Sequence, residues 1–257
     1  MKYMQGKYPV VSKKAIAKDI YDFEILCPEI AEIAQAGQFI QVLSPSYFLR
    51  RPISICGIDR EKGTLRMVFE IRGKGTEEIA TINSGDLIDI IAPLGRGFEV
   101  CDGKKAIVIG GGIGTPPMLG CANACGKNVK AIIGFRSASN VILENDFKTV
   151  CDETIVCTDD GTYGRKGFVT EALEDCIKSE MPDIIYACGP MGMLKGIVNI
   201  ADKYNIKTQV SLEQRMACGV GACLVCACRL VKDGEEFLGH VCKDGPVFDS
   251  KEVKFDG

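Results

Sequence analysis

The sequence predicts a β barrel followed by an α/β domain and a small cysteine-rich module: a six-stranded antiparallel barrel, a doubly wound parallel sheet, and a C-terminal segment that needs a staple. Three observations predict it. Up to Gly95 the chain alternates short β-rich runs with turn residues. From Lys105 to Leu212 it alternates apolar runs with helical stretches, and after Arg215 both rhythms give way to closely spaced Cys and Gly.

The barrel strands are expected at Pro9 to Ala17, Ile20 to Cys27, Phe39 to Leu43, Ile53 to Ile58, Thr64 to Ile71 and Leu87 to Ile91, with Gly85-Asp86 turning the chain into the last. One helical stretch, Glu77 to Ile82, interrupts them. Past Asp102-Gly103 the pattern becomes strand, helix, strand. Strands are expected at Ala106 to Ile109, Val129 to Phe135, Thr154 to Thr158, Ile184 to Cys188 and Thr208 to Leu212. Helices fall at Pro117 to Cys125, Phe168 to Cys176 and Met191 to Lys203. These strands are apolar nearly throughout, as strands covered by helices on both faces must be, which predicts a parallel sheet of about five strands. The domain boundaries that follow are 1–101, 102–213 and 214–257.

At 257 residues and a net charge of -3, the chain has no run of Lys and Arg dense enough to follow a phosphate backbone, which argues against nucleic acid as a partner. The opening stretch from Met1 to Val10 lacks the apolar core of a signal peptide, and no apolar run reaches membrane-spanning length, so a cytoplasmic protein is expected. In that compartment its 14 cysteines should be thiols or metal ligands rather than disulfides. Nine are scattered through apolar or turn segments, as Cys27, Cys56, Cys121 and Cys157 are, and read as small buried hydrophobes.

The other five crowd together. Cys218, Cys223 and Cys226, with Cys242 sixteen positions on, show the C-x4-C-x2-C spacing and distant fourth ligand of a plant-type [2Fe-2S] site. Gly219 and Gly221 allow the loop to wrap tightly with its N-H groups turned inward. A four-cysteine zinc site is the alternative, although only Cys223 and Cys226 form a C-x2-C knuckle. A Rieske centre needs two histidines, and His240 is the only one in the chain. Cys228 has no place in the spacing and reads as a bystander, and His240 as a lone surface histidine. A segment of about 40 residues buries too little surface to stand alone, so a metal staple is expected there.

Four further motifs, two in the barrel and two in the α/β region, point to nucleotides. Arg51-Pro52-Ile53-Ser54 opens a barrel strand, where an Arg pairs with phosphate and a Ser hydroxyl reaches a flavin ring nitrogen. Gly73-Lys74-Gly75-Thr76 precedes the one barrel helix, whose free N-H groups suit a pyrophosphate; Thr76 reads equally as an N-cap. In the α/β region Gly110, Gly111, Gly112, Ile113, Gly114 and Thr115 link a strand to a helix, the setting of a nucleotide-binding loop, though not with G-x-G-x-x-G spacing. Cys188, Gly189, Pro190 and Met191 end a later strand at the edge where such sheets bind ligands; Cys188 there reads either as a neighbour of a nicotinamide ring or as packing. NAD and NADP stay open, because Asp159 and Asp160 argue one way and Arg136 the other. No His-based acid/base pair or nucleophile constellation is present for an organic substrate, which places the substrate on another polypeptide.

The barrel with Arg-Pro-Ile-Ser and Gly-Thr, and the sheet with Gly-Gly-Gly-Ile-Gly and Cys-Gly-Pro-Met, resemble the ferredoxin-NADP reductase superfamily. The whole chain, with Leu212-Glu-Gln-Arg-Met-Ala-Cys218 and Val241-Cys-Lys-Asp-Gly-Pro-Val-Phe248, resembles the electron-transfer subunits of class 1B dihydroorotate dehydrogenase. The resemblance implies FAD contacts at Arg51, Pro52, Ile53 and Ser54, at Phe69, Glu70 and Ile71, and at Gly75 and Thr76, with cluster ligands Cys218, Cys223, Cys226 and Cys242. It also implies a partner, an FMN-containing catalytic subunit that oxidises dihydroorotate in pyrimidine biosynthesis. Electrons would pass from that FMN through [2Fe-2S] and FAD to NAD+, in a heterotetramer of two subunits of each kind. A subunit of an NADPH-dependent ferredoxin oxidoreductase or sulfide dehydrogenase is the alternative of similar architecture, and a zinc-stapled nucleotide-binding module without redox role is the alternative of a different class.

Overall fold

The computed structural model describes residues 3–100 and 103–255. The expected boundary between residues 101 and 102 lies outside them, as do Met1 and Lys2 of the opening stretch.

Six strands close an antiparallel barrel: β1 (Met4–Ala17), β2 (Ile20–Leu26), β3 (Phe39–Val42), β4 (Arg51–Asp59), β5 (Thr64–Glu70) and β6 (Leu87–Leu94), in the order β1-β2-β5-β4-β3-β6. β1 starts five residues earlier than its β-rich pattern suggested because it serves two neighbours. Its first half pairs with β6 and, past an irregularity at Val10, its second half pairs with β2. That shared strand removes both sheet edges. Alternate residues such as Ile40, Val42, Ile53 and Ile55 fill the interior with Phe23, Met67 and Phe69.

Two helices decorate the barrel, α1 (Pro28–Ile33) and α2 (Lys74–Ile79). The first was not expected; Pro28, preset for a first helical position, starts it. The second begins three residues before the expected Glu77. Gly73 is its N-cap, and Thr76, inside the first turn, accepts hydrogen bonds at Oγ1 from the N-H groups of Arg72 (2.9 Å) and Gly73 (3.2 Å). Thr76 is therefore not the N-cap residue.

The second sheet is built from β7 (Ala106–Gly111), α3 (Thr115–Cys125), β8 (Val129–Phe135), α4 (Glu144–Val150), β9 (Glu153–Thr158), β10 (Arg165–Lys166), α5 (Val169–Ser179), β11 (Ile184–Cys188), α6 (Met191–Lys203) and β12 (Lys207–Ser211). The five expected strands are there in the order β9-β8-β7-β11-β12, all parallel; the short β10 adds a sixth beside β9. Each strand sends alternate residues to opposite faces. Ile107, Ile109, Ile185 and Ala187 pack with α5 and α6, whereas Ala106, Val108, Ile184 and Tyr186 pack with α3 and α4. Burial on both faces is the reason the central strands β7 and β11 read as unbroken apolar runs.

The C-terminal segment has more regular structure than its sequence suggested. β13 (Ala227–Lys232) and β14 (Glu235–His240) form a hairpin, and β15 (Val247–Asp249) joins the large sheet as a seventh strand, antiparallel to β12. Cys226, Cys228, Leu230, Val241, Cys242 and Phe248 share one core with α5, α6 and the barrel's Phe39 and Leu94. The module thus draws stability from both neighbours, in addition to any metal.

Barrel and sheet are also fastened to each other. Gly120 of α3 comes so near β4 that a Cβ there would stand 3.0 Å from the Cys56 carbonyl oxygen. Arg66 of β5 donates to Asp22 at 2.7 Å and pairs with Asp146 of α4. In the connection between domains, Glu99 exchanges two backbone hydrogen bonds with the Gln209 side chain (3.0 and 3.1 Å) and its carbonyl accepts from the Tyr186 hydroxyl.

Candidate functional site

Arg51 opens β4, and its guanidinium lies across the first turn of α2, where a Cβ on Gly75 would be 2.3 Å from Nε. Gly75 leaves room for the guanidinium, which a side chain there would push aside. The two sequence motifs, some 20 residues apart, therefore meet in space. Arg51 also stands 5.4 Å from the centre of the Tyr47 ring, in cation-π range. Glu78 of α2 accepts hydrogen bonds from the hydroxyls of Ser44 and Ser46 and from the Ser46 N-H, which hold its carboxyl below the usual range. The loop after β3 is thereby tied to α2 beside Arg51.

The remaining flavin candidates divide by face. Pro52 is exposed and Ser54 half-buried, on the outer side of the barrel. Ile53 and Phe69 point inward, where Phe69 meets Tyr21 and Phe23 at ring distances of 6.0 and 5.3 Å, so only their backbones remain available to a ligand. Glu70 pairs with Arg72 at 2.8 Å, and the Ile71 N-H donates to the Asp19 carbonyl.

At the carboxyl edge of the large sheet, β7 and β11 are neighbours from which the chain departs in opposite directions, the switch point where such sheets take ligands. Gly110 pairs with Cys188 there. The loops above interlock: a Cβ on Gly114 would be 2.6 Å from the Cys188 carbonyl oxygen, and one on Gly111 would be 2.5 Å from the Met193 sulfur. Gly112, with φ +54, faces open space, beside half-buried Ile113 and exposed Pro190 and Met191. Gly189 packs under Met193. Thr115 is fully buried and its hydroxyl has no partner, an acceptor-donor left at the start of α3. The Cys188 side chain is 1% exposed, and burial, then the nearby Glu213 charge, pushes its thiol up to about 12. Arg136 and Asp160 follow the next two strands, joined by a backbone hydrogen bond.

The cysteine loop packs on the outside of the barrel. Gly219 (φ +71) and Gly221 (φ +81) turn its N-H groups inward, so that Cys218 Sγ accepts from Val220 at 3.5 Å and Cys223 at 3.4 Å. Burial opposes ionisation of Cys218, but these N-H groups outweigh it and draw the thiol down to about 6. That is the electrostatics of a thiolate ligand. Cys226 and Cys242 are buried side by side; burial first, then the Cys226 contact, pushes the Cys242 thiol up to about 12. Among the described residues no three His, Cys, Asp or Glu side chains are placed to hold a single ion. Cys228 packs in the core below the hairpin, its thiol pushed up by burial to about 11. His240 is half-buried rather than on the surface, with Nδ1 3.5 Å from Asp244.

One residue escaped the sequence reading. Gln41 is fully buried, its side-chain amide has no hydrogen-bond partner at either atom, and it underlies Gly219. A polar residue between Ile40 and Val42 in an otherwise apolar strand was the available signal.

Among the described residues no helix is long and apolar enough to cross a membrane. Residues 213–254 match the family model described as the iron-sulfur cluster binding domain of dihydroorotate dehydrogenase B. The dihydroorotate dehydrogenase B (NAD(+)) electron transfer subunit of Bacillus cereus strain G9842 is 40% identical over 260 residues, covering 95% of this chain and 96% of its own. Among solved structures, an NADH-dependent reduced ferredoxin-NADP oxidoreductase, studied for flavin-based electron bifurcation, is 30% identical with a TM-score of 0.86, covering 96% of this chain and 90% of its own. The ferredoxin reductase of carbazole 1,9a-dioxygenase, at 18% identity and TM-score 0.67 over 80% of this chain and 67% of its own, shares the fold alone. With identity of that extent along nearly its whole length, the chain belongs to the family of dihydroorotate dehydrogenase B electron transfer subunits, oxidoreductase components with a ferredoxin-reductase fold and a C-terminal iron-sulfur cluster binding domain.

Proposed function

We propose that this chain carries electrons from the FMN-containing catalytic subunit of a dihydroorotate dehydrogenase to NAD+, in pyrimidine biosynthesis. The observation that carries the reading is the contact between two motifs: the cysteine loop at Gly219 rests on Gln41 of β3, which pairs directly with Pro52 of the Arg51–Ser54 motif on β4. Bound at those sites, FAD would exchange two electrons with the nicotinamide and single electrons with a [2Fe-2S] cluster.

The residues have separate tasks. Arg51 and the N-H groups around Gly75 and Thr76 would neutralise the FAD pyrophosphate, and Pro52 and Ser54 would border the ring. The Gly110–Thr115 loop and Gly189–Met191 would receive NAD(H) at the switch point. Cys218, Cys223, Cys226 and Cys242 would hold the cluster, with the inward N-H groups of the loop compensating its negative charge. Cys188, buried and protonated, would contribute shape rather than acid/base chemistry. Leu224 and Val225, exposed between two ligand cysteines, suit an apolar contact with the catalytic subunit. We place the complex in the cytoplasm as a heterotetramer with two subunits of each kind.

Anaerobic absorption and EPR spectra before and after adding NADH test this. Flavin and cluster bands that bleach, with a rhombic signal from one reduced [2Fe-2S] centre, are expected. A chain purified without iron or flavin would overturn the reading. The likeness to the ferredoxin-NADP oxidoreductase favours a second reading, in which the same module serves a ferredoxin-linked enzyme. Reduction by dihydroorotate after mixing with the catalytic subunit separates the two.

A further inference from the structure

The side chain of Gln41 is 0% exposed, and neither Nε2 nor Oε1 has a hydrogen-bond partner among the protein atoms. A buried amide left in that condition is costly, because each unpaired polar group has given up its water without a replacement hydrogen bond. Its place in the fold gives the cost a purpose. Ile40 and Val42 on either side face the barrel interior, which turns Gln41 outward. On that outer face it stands opposite Pro52, on the side shared by Ser54 and Phe39, and Phe39 packs in the same core as Cys226 and Cys242.

The cysteine loop is shaped to this side chain. Gly219 follows the first cysteine with φ +71, and a Cβ there would be 2.5 Å from Gln41 Nε2 and 2.7 Å from Cγ. The amide nitrogen is therefore pressed against the loop that carries Cys218, Cys223 and Cys226, at the seam between that loop and the flavin-motif strand. The N-H groups of Val220 and Cys223 are engaged with Cys218. The Nε2 donor is the side-chain counterpart, supplied by the barrel.

We propose that Gln41 is a positioning residue of the electron path: its Nε2 donates a hydrogen bond to the sulfur set of the cluster held by the Cys218–Cys226 loop, favouring the more negative, reduced state. The inference rests on the proposed function. Hydrogen bonds to cluster sulfurs are one of the protein's means of setting potential. No proton or bond changes hands; the residue alters only the balance between oxidised and reduced cluster.

EPR-monitored redox titration of the cofactor-loaded chain tests it, with iron and flavin content measured in each sample. Gln41→Leu preserves apolar packing without a donor, and Gln41→Glu preserves shape while exchanging the N-H donor for a carboxylate. Both are expected to lower the reduced-to-oxidised ratio at a fixed solution potential by about tenfold, equivalent to about 59 mV for one electron, with changed EPR line shape. A wild-type potential and line shape in Gln41→Leu at full iron content would mean that water or loop backbone satisfies the amide, and would overturn the proposal. If Gln41→Leu assembles no cluster, Gln41→Glu decides by the same criterion. A wild-type chain that itself holds no cluster would instead sink the proposed function.

Discussion

Gly114→Ala isolates the contact between the two ligand loops at the switch point. Gly114 has φ -77, an ordinary helical value, so alanine brings no backbone strain and the effect is purely steric. The added Cβ would stand 2.6 Å from the Cys188 oxygen, 2.7 Å from its carbonyl carbon and 2.8 Å from Gly189 Cα. All three are backbone atoms, and Cys188 ends β11 held by pairing to both β7 and β12, so no side-chain rotation relieves the overlap. Overpacking of this kind costs about 1–3 kcal/mol. For a chain of this size each kcal/mol lowers the melting temperature by about 2–4 °C, so a fall on the order of 5 °C is expected. Because the displaced loops are the proposed nucleotide site, NADH affinity should fall at least about tenfold, the equivalent of about 1.4 kcal/mol. Thermal unfolding and NADH titration of samples matched in FAD and iron content measure both, since bound cofactors raise apparent stability. A melting temperature within about 1 °C of wild type, with affinity within about twofold, would show that the two loops take up the methyl group without displacement and do not depend on this close contact.

Arg66→Met breaks the tie between barrel and α4 and leaves the buried Asp22 carboxylate uncompensated; denaturant unfolding should show a loss of roughly 2–4 kcal/mol, less than for a fully buried pair because Arg66 keeps part of its surface. Adding Asp22→Leu should recover part of it, and full additivity would contradict the pairing. Burial opposes the charge on Arg66, but its hydrogen bonds to Asp22 and Asp146 hold its pKa above the usual value, so this effect persists across neutral pH. The anchoring by Glu78 should depend on acid: with its folded pKa depressed by Ser44 and Ser46, the contact is complete above the ordinary carboxylate range and is lost as pH falls through the folded value. Hydrogen exchange at the Ser46 N-H should show protection at neutral pH that weakens in acid and disappears in Glu78→Ala. Among neighbouring thiols, Cys226→Ala should abolish the cluster signal while Cys228→Ala retains full iron, as the spacing and the core position of Cys228 require.

Features that rest on local pattern are legible in the amino-acid order alone. The barrel's alternation, the apolar runs of β7 and β11, the glycine-rich turn after β7 and the cysteine spacing each rest on short stretches of chain, so periodicity and motif made them legible. Boundaries were less so. α2 begins at Lys74 rather than Glu77 because Thr76 bonds back to Arg72 and Gly73, which a residue type does not announce. The hairpin β13–β14 was hidden by a charged, weakly alternating stretch, and β15 is a strand only because β12 offers it an edge. The tertiary structure alone decided that Arg51 covers Gly75, that Ile53 and Phe69 turn into the barrel, and that Gln41 lies beneath Gly219. Those facts depend on which face of a closed barrel meets a loop nearly 180 residues later, and only the packing of distant segments, driven by burial of their apolar faces, settles that.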